Sequence, residues 1–285
     1  MIQTDAHHHI WELARRPHAW LDDSGMDAIR RDFTLTDLAL QTKAADIDRA
    51  VLVQVLPSLA ETTEFLALAG ESDLVAGVVG WADLTSAAIP ETLATLRSGP
   101  GGARLVGIRH LVQGEPHPRW LARPDVRRGL RAVAEAGLVY DLLTLPHQLP
   151  AAVDTVRALP GLTFVLDHLA KPPIASGELQ PWAALVRELA VLPNVYCKLS
   201  GMVTEAGRPG WTVAALRPYA ETVLDAFGPS RVMFGSDWPV CLLAASYAGV
   251  VSAARELTAE LNPDAQAQVF GGTAARAYGL PETGP

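Results

Sequence analysis

The chain has 285 residues, of which 49% are apolar and 19% are charged, and its formal net charge at pH 7 is -8. This composition supports a large buried core and excludes disordered and fibrous chains. The acidic balance argues against nucleic acid and anionic membrane surfaces as partners, because like charges repel.

The two cysteines, Cys197 and Cys241, lie far apart in the sequence and form no CxxC pair. A disulfide framework is therefore not expected, and a reducing cytoplasm is the predicted compartment. The first residues contain no apolar run of signal-peptide length, and a membrane-spanning run of about 18 apolar residues is missing elsewhere. We expect a cytoplasmic protein without a membrane partner, either a monomer or a homodimer.

Short β-branched segments alternate with longer helical patterns along the chain. Strands are predicted at residues 2–7, 50–55, 75–81, 105–109, 138–143, 163–167, 194–198 and 231–235. Helices are predicted at 61–71, 124–136, 149–159, 181–192 and 213–227, followed by closing helices at 244–261 and 263–278. This alternation implies βαβ crossovers and a parallel sheet. The sequence predicts an α/β fold, a (β/α)8 TIM barrel that occupies residues 1–285 as a single domain.

A histidine-rich segment, DAHHHIW at residues 5–11, ends the first predicted strand. Side chains alternate along a strand, so His7 and His9 share one face and His8 points to the other. Ligands bind at the carboxyl ends of the strands in a parallel barrel. Two imidazoles on one face there could hold one metal ion; histidines without a ligand role and a purification-tag remnant are the alternatives.

Two further strand ends carry residues of the same chemistry. The sixth predicted strand ends in LDHLAKP (166–172), in which His168 supplies a third imidazole and Asp167 could orient a metal-bound histidine. The eighth ends in FGSDWP (234–239), where the carboxylate of Asp237 is placed to take a proton from water. A turn-forming role is the alternative for Asp237. The three histidines and this aspartate together are a sharper signal than any one of them.

Other predicted rim residues are candidates for substrate contacts. Arg109 could clamp a carboxylate or polarise a carbonyl, and an inter-strand ion pair is its alternative. His110 follows directly, so at most one of this pair should face the pocket. Burying the Lys198 ammonium without a partner would be costly. Its side chain is therefore expected either to contact the substrate or an aspartate, or to remain in solvent. Trp81 and Trp238 could form apolar walls or ordinary packing. Weaker candidates are Gln54, Tyr140 and Asp141.

The segments DAHHHIW, GIRH, LDHLAKP, CKLSG and MFGSDWPVC occur in this order between Asp5 and Tyr278. As a set they resemble the amidohydrolase-2 branch of the amidohydrolase superfamily, and within it the lactonase-type group of L-fuconolactonase-like and 2-pyrone-4,6-dicarboxylate lactonase-like proteins. The resemblance implies a metal position lined by His7 and His9 with His168 opposite, and Asp237 as general base.

The fourth predicted strand ends in GIRH (107–110), which has no lysine or acid to bridge two metal ions as some superfamily members do. One divalent ion is therefore expected, and zinc fits the nitrogen and oxygen ligands. The predicted ligand set is His7, His9, His168 and Asp237. Because some members of the lactonase group are thought to work without metal, a metal-free site is the alternative.

The predicted reaction is attack of water on a lactone carbonyl, with Asp237 and His168 as the catalytic residues. The sequence lacks GxSxG, HExxH and GxGxxG, so serine-hydrolase, zincin and nucleotide chemistry have no motif support. The predicted substrate is a small-molecule sugar-acid lactone. A metal-dependent decarboxylase of the same superfamily and an inactive sugar-acid-binding barrel are the alternatives.

Overall fold

The computed structural model describes residues 2–207 and 210–281. Eight parallel strands form one sheet in sequential order. They are β1 (Thr4–His8), β2 (Arg49–Val53), β3 (Val75–Gly80), β4 (Leu105–His110), β5 (Val139–Leu142), β6 (Phe164–Leu166), β7 (Val195–Leu199) and β8 (Val232–Phe234). A parallel bridge between His8 and Trp238 joins the two ends of the sheet. The predicted (β/α)8 barrel is thereby confirmed.

Helices separate the strands and cover the outside of the sheet. They are α1 (Leu35–Ala44), α2 (Leu59–Gly70), α3 (Ile89–Ser98), α4 (Pro124–Glu135), α5 (Leu149–Ala158), α6 (Trp182–Ala190), α7 (Met202–Glu205), α8 (Val213–Phe227), α9 (Tyr247–Leu257), α10 (Pro263–Ala267) and α11 (Thr273–Tyr278). Several begin at a hydroxyl or amide side chain that accepts a backbone N–H of the first turn, as Thr34, Ser58 and Asn262 do. Such caps satisfy N–H groups that have no partner within the helix.

The barrel interior is an apolar cluster that α11 joins. Inward-facing side chains of the strands pack against this last helix and against Leu280, which follows it. The cluster includes Ala6, Val51, Val79, Val139, Val165, Met233, Ala274, Ala277, Tyr278 and Leu280. A second and larger apolar cluster lies between the strands and the surrounding helices. The interior is thus packed with side chains, and polar groups concentrate at the carboxyl ends of the strands.

One predicted helix is wrong in its extent. The segment 263–278 was expected to be continuous, but α10 and α11 are separated by a wide, π-helical turn at Gln268–Gly272. Gly271 lies at the break, where a Cβ atom would collide with the carbonyl oxygen of Ile2. The helix is therefore interrupted at Gly271, where its backbone packs against the backbone of Ile2, just before β1. The helix predicted at 244–261 is also shorter, since α9 begins after its N-cap, Ser246.

Within residues 2–207 and 210–281, no helix is long and apolar enough to cross a membrane. The prediction of a single domain over residues 1–285 includes seven residues outside this part of the chain, and it stays a prediction.

Candidate active site

The four residues predicted to bind a metal lie together at the carboxyl end of the barrel. The Asp237 Oδ1 atom is 3.5 Å from His9 Nε2, 3.8 Å from His168 Nε2 and 3.9 Å from His7 Nε2. The Nε2 atoms of His7 and His9 are 3.1 Å apart. All four side chains are buried or nearly so. We refer to His7, His9, His168 and Asp237 as the histidine–aspartate cluster.

The closure of the barrel between β1 and β8 brings two parts of this cluster together. The backbone N–H of Asp237 donates to the carbonyl of His7 over 2.9 Å, and the N–H of His9 donates to the carbonyl of Trp238 over 2.7 Å. Asp237 itself has a φ of 57°, in the left-handed region. Two backbone hydrogen bonds therefore fix the Asp237 carboxylate beside the two imidazoles.

His168 is placed by an unusual turn that follows β6. His168 and the next three residues, up to Lys171, all have φ between 51° and 58°. A left-handed residue other than glycine costs about 1–2 kcal/mol, so the surrounding structure must hold this turn. The Ser200 hydroxyl lies 2.8 Å from His168 Nδ1. A Cβ atom on Gly201 would come within 2.8 Å of the His168 ring, so only glycine lets the segment after β7 pack this closely.

The tautomer of His9 leaves a lone pair for a ligand. His9 Nδ1 lies 2.8 Å from the carbonyl oxygen of Val53, and a carbonyl can only accept, so Nδ1 carries the proton. Nitrogen and oxygen atoms that each lie roughly 2.0–2.1 Å from a tetrahedral zinc ion are about 3.3 Å apart. The distances from Asp237 Oδ1 to the three Nε2 atoms, and between the Nε2 atoms of His7 and His9, are 3.1–3.9 Å. The residues therefore fit one metal ion, and His7, His168 and Asp237 each bring a ligand atom within 4.8 Å of the others.

A buried network of charges supports His7 from below. The Lys198 ammonium lies 2.6 Å from Asp141, 2.9 Å from Asp167 and 3.1 Å from His7 Nδ1. Arg109 lies 3.0 Å from Asp167 and 3.3 Å from His7 Nε2. Two buried cations thus balance two buried carboxylates around one imidazole. This balance offsets the large cost of removing each charge from water.

The Asp141 carboxylate also accepts from the C-terminal helix. The Tyr278 hydroxyl lies 2.9 Å from both of its oxygens, so α11 reaches the network through the barrel interior. Asp167 Oδ1 lies 3.4 Å from His7 Nδ1, the ring nitrogen that the Lys198 ammonium also contacts.

The electrostatics keep the His7 and His168 imidazoles neutral and the Asp237 carboxylate charged. Burial lowers the pKa of His168 to about 4, although Asp237 and Asp167 act in the opposite direction. Burial and the Lys198 ammonium hold the pKa of His7 well below its ordinary value. Burial alone would raise the pKa of Asp237, but His168 and His9 outweigh it and lower that pKa. At neutral pH the cluster therefore contains neutral His7 and His168 side chains and an ionised carboxylate, Asp237, which is a competent base.

The remaining predicted site residues divide into two groups. Arg109 contacts the cluster, and its guanidinium also bonds the side chain and carbonyl of Gln54. Its expected inter-strand ion pair is present, with Asp167. Lys198 is 0% exposed, so the solvated position considered for it is wrong. Its ammonium is held by two carboxylates beside His7 Nδ1, and contact of Lys198 with the substrate stays a prediction. Asp141 is its partner.

His110 and the two tryptophans lie outside the cluster. His110 stacks on Trp120 with ring centres 4.2 Å apart and contacts Glu115 over 2.7 Å. The Trp81 indole donates to His110. Trp238 is 2% exposed and packs edge-on against Phe33, so its ring belongs to the core and does not form an open wall.

Sequence reasoning missed several supporting residues. Ser200 and Gly201 lie in the CKLSG segment, and a glycine next to a hydroxyl at a strand end was an available signal. Tyr278 had none, because its contact with Asp141 joins residues that are remote in the sequence. Tyr140, a weaker candidate, is fully buried and packs edge-on against Phe164.

A family model described as Amidohydrolase matches residues 4–280. The chain belongs to the amidohydrolase family. Two curated relatives are each named L-fucono-1,5-lactonase. The protein from Burkholderia ambifaria is 41% identical and covers 97% of this chain and 95% of its own length; the protein from Burkholderia multivorans is 38% identical over 99% and 97%. The predicted family resemblance is confirmed.

A solved amidohydrolase from Burkholderia multivorans, described with bound zinc, superimposes with a TM-score of 0.91 at 37% identity. The alignment covers 99% of this chain and 100% of that one. The zinc belongs to that structure. In this amidohydrolase, His7, His168 and Asp237 of the histidine–aspartate cluster could hold a metal ion.

Proposed function

We propose that this amidohydrolase opens the ring of a sugar-acid lactone by hydrolysis. The observation that carries the proposal is a buried carboxylate, Asp237, whose Oδ1 atom lies 3.5–3.9 Å from three imidazole Nε2 atoms at the carboxyl end of the barrel. The two relatives named L-fucono-1,5-lactonase, at 38% and 41% identity over nearly the full chain, support this substrate class.

His7, His9, His168 and Asp237 would hold one divalent ion, with zinc as the proposed metal. Such an ion supplies Lewis-acid polarisation of a carbonyl and a more acidic bound water. The Arg109 guanidinium and the Lys198 ammonium lie beside the two ring nitrogens of His7.

The residues of the chain account for the proton transfers of the reaction. Asp237 takes a proton from the attacking water as the carbon–oxygen bond forms at the lactone carbonyl. The ring carbon–oxygen bond then breaks, and Asp237 returns the proton to the leaving alkoxide. The new carboxylic acid ionises and releases one proton for each turnover. His168 stays neutral throughout, and Ser200 fixes the orientation of its ring.

The test is a hydrolysis screen with a pH indicator over neutral 1,4- and 1,5-aldonolactones, with and without a chelator. The Asp237→Asn variant should lose activity by at least about 100-fold, the lower range for loss of a general base. Asp154→Asn is the matched control, because this aspartate lies on the surface in an exposed pair with Arg119. We expect it to retain wild-type activity.

Other outcomes would point to the alternative functions. Release of CO2 from an unsaturated or aromatic acid, with no lactone opened, would favour the decarboxylase. Binding of a sugar acid without turnover, unchanged in Asp237→Asn, would favour an inactive binding barrel. The cytoplasmic location and the monomeric or dimeric state stay predictions.

A further inference from the structure

Two charged side chains at the mouth of the site take no part in the proposed proton transfers. Lys171 Nζ lies 3.6 Å from the Glu205 Oε1 atom. Their side chains are 25% and 28% exposed, whereas those of Arg109 and Lys198 are 3% and 0% exposed. Lys171 and Glu205 are thus half-buried and can meet a ligand that enters from solvent. We refer to them as the mouth pair.

The backbone ties both residues of the mouth pair to His168. Lys171 ends the left-handed turn that begins at His168, with a φ of 51°. Glu205 ends α7, which begins directly after Gly201, the glycine packed against the His168 ring. The mouth pair therefore lies on two segments whose positions are fixed by contacts with the cluster.

The charges of the mouth pair also act on the pKa values of the cluster. The Lys171 ammonium lowers the pKa of Asp237 and the pKa of His168. Burial raises the pKa of Glu205, Lys171 opposes that effect, and the Asp237 carboxylate adds to it. Each charge is therefore felt at the reacting groups, so each will also act on a ligand bound there.

We infer that Lys171 and Glu205 together recognise substrate hydroxyl groups and select neutral polyhydroxylated lactones over carboxylated ones. A hydroxyl both donates and accepts, and the pair offers an ammonium donor beside a carboxylate acceptor. A carboxylated lactone would bring a second anion against Glu205, which like-charge repulsion disfavours. The inference rests on the proposed function and specifies the substrate class of the same site.

The experiment compares wild type, Glu205→Gln and Lys171→Met on a neutral aldonolactone and on a carboxylated aldarolactone. Glu205→Gln keeps the shape and the acceptor but removes the charge. We expect it to shift the ratio of kcat/KM, carboxylated over neutral, by about tenfold towards the carboxylated lactone. Lys171→Met should raise KM for the neutral lactone by about tenfold, with kcat changed less than about threefold.

Glu188→Gln is the matched control. Glu188 on α6 is ion-paired with Arg157 on α5, and the substitution removes the same charge as Glu205→Gln. It should leave the ratio and KM at wild-type values. A wild-type ratio and KM in both mouth-pair variants would mean that the pair only ties two loops together, and would overturn the inference. Failure of the wild type to open any lactone would instead overturn the proposed function, and the inference with it.

Discussion

Lys198 provides the most direct test of the buried charge network. Its ammonium lies 2.6 Å from Asp141 and 2.9 Å from Asp167, and none of the three side chains is exposed. A Lys198→Met variant keeps the aliphatic volume but leaves Arg109 as the remaining cation beside these carboxylates. Removing one partner of a buried ion pair costs about 3–5 kcal/mol of unfolding free energy. For a domain of this size, that loss lowers the melting temperature by roughly 10 °C.

Urea unfolding at pH 7 measures this loss, with the double variant Lys198→Met/Asp141→Asn alongside. The double variant should be more stable than Lys198→Met alone, because Asp141, the carboxylate that has lost its cation, is now neutral, whereas Asp167 keeps Arg109. Lys43→Met, at an exposed position in the last turn of α1, is the matched control and should change stability by less than about 0.5 kcal/mol. A Lys198→Met loss below about 1 kcal/mol, or no recovery in the double variant, would refute the reasoning.

Three further predictions concern single side chains. Gly201→Ala should reduce lactone hydrolysis at least tenfold with the fold retained, because the new Cβ atom displaces the His168 ring. Circular dichroism checks the fold, and wild-type activity in a folded variant would contradict this prediction. Tyr278→Phe removes a donor to Asp141 and should cost about 1–3 kcal/mol in urea unfolding, whereas a neutral result would show that water replaces the hydroxyl. Hydrogen bonds from Thr34 lower the pKa of Asp37, so its contribution is present above the unfolded pKa and is lost as pH falls through the folded one. Asp37→Ala should therefore destabilise by about 1 kcal/mol at pH 7 and by less near pH 3, measured by thermal unfolding.

The order of elements was predictable because it depends on local patterns. β-branched segments that alternate with amphipathic ones specify parallel strands and outer helices whatever the distant contacts are. The eight predicted strands all exist, and none of their ends is shifted by more than two residues. The same rule of alternation placed His7 and His9 together, and the chemistry of strand ends pointed to His168 and Asp237. The break at Gly271 was not predicted, because it results from contact with the backbone of Ile2, which is remote in the sequence.

The sequence by itself therefore determined the barrel, its functional end and the four residues of the histidine–aspartate cluster. Only the tertiary structure decided what the nearby charges do. Lys198 supports His7 because the closed barrel brings Asp141 and Asp167 within reach of its ammonium. Glu205 meets Lys171 because a left-handed turn, which the local sequence does not favour, redirects the chain after His168. Burial and pairing of a charge depend on residues from several strands and loops at once, and that information is absent from any local segment.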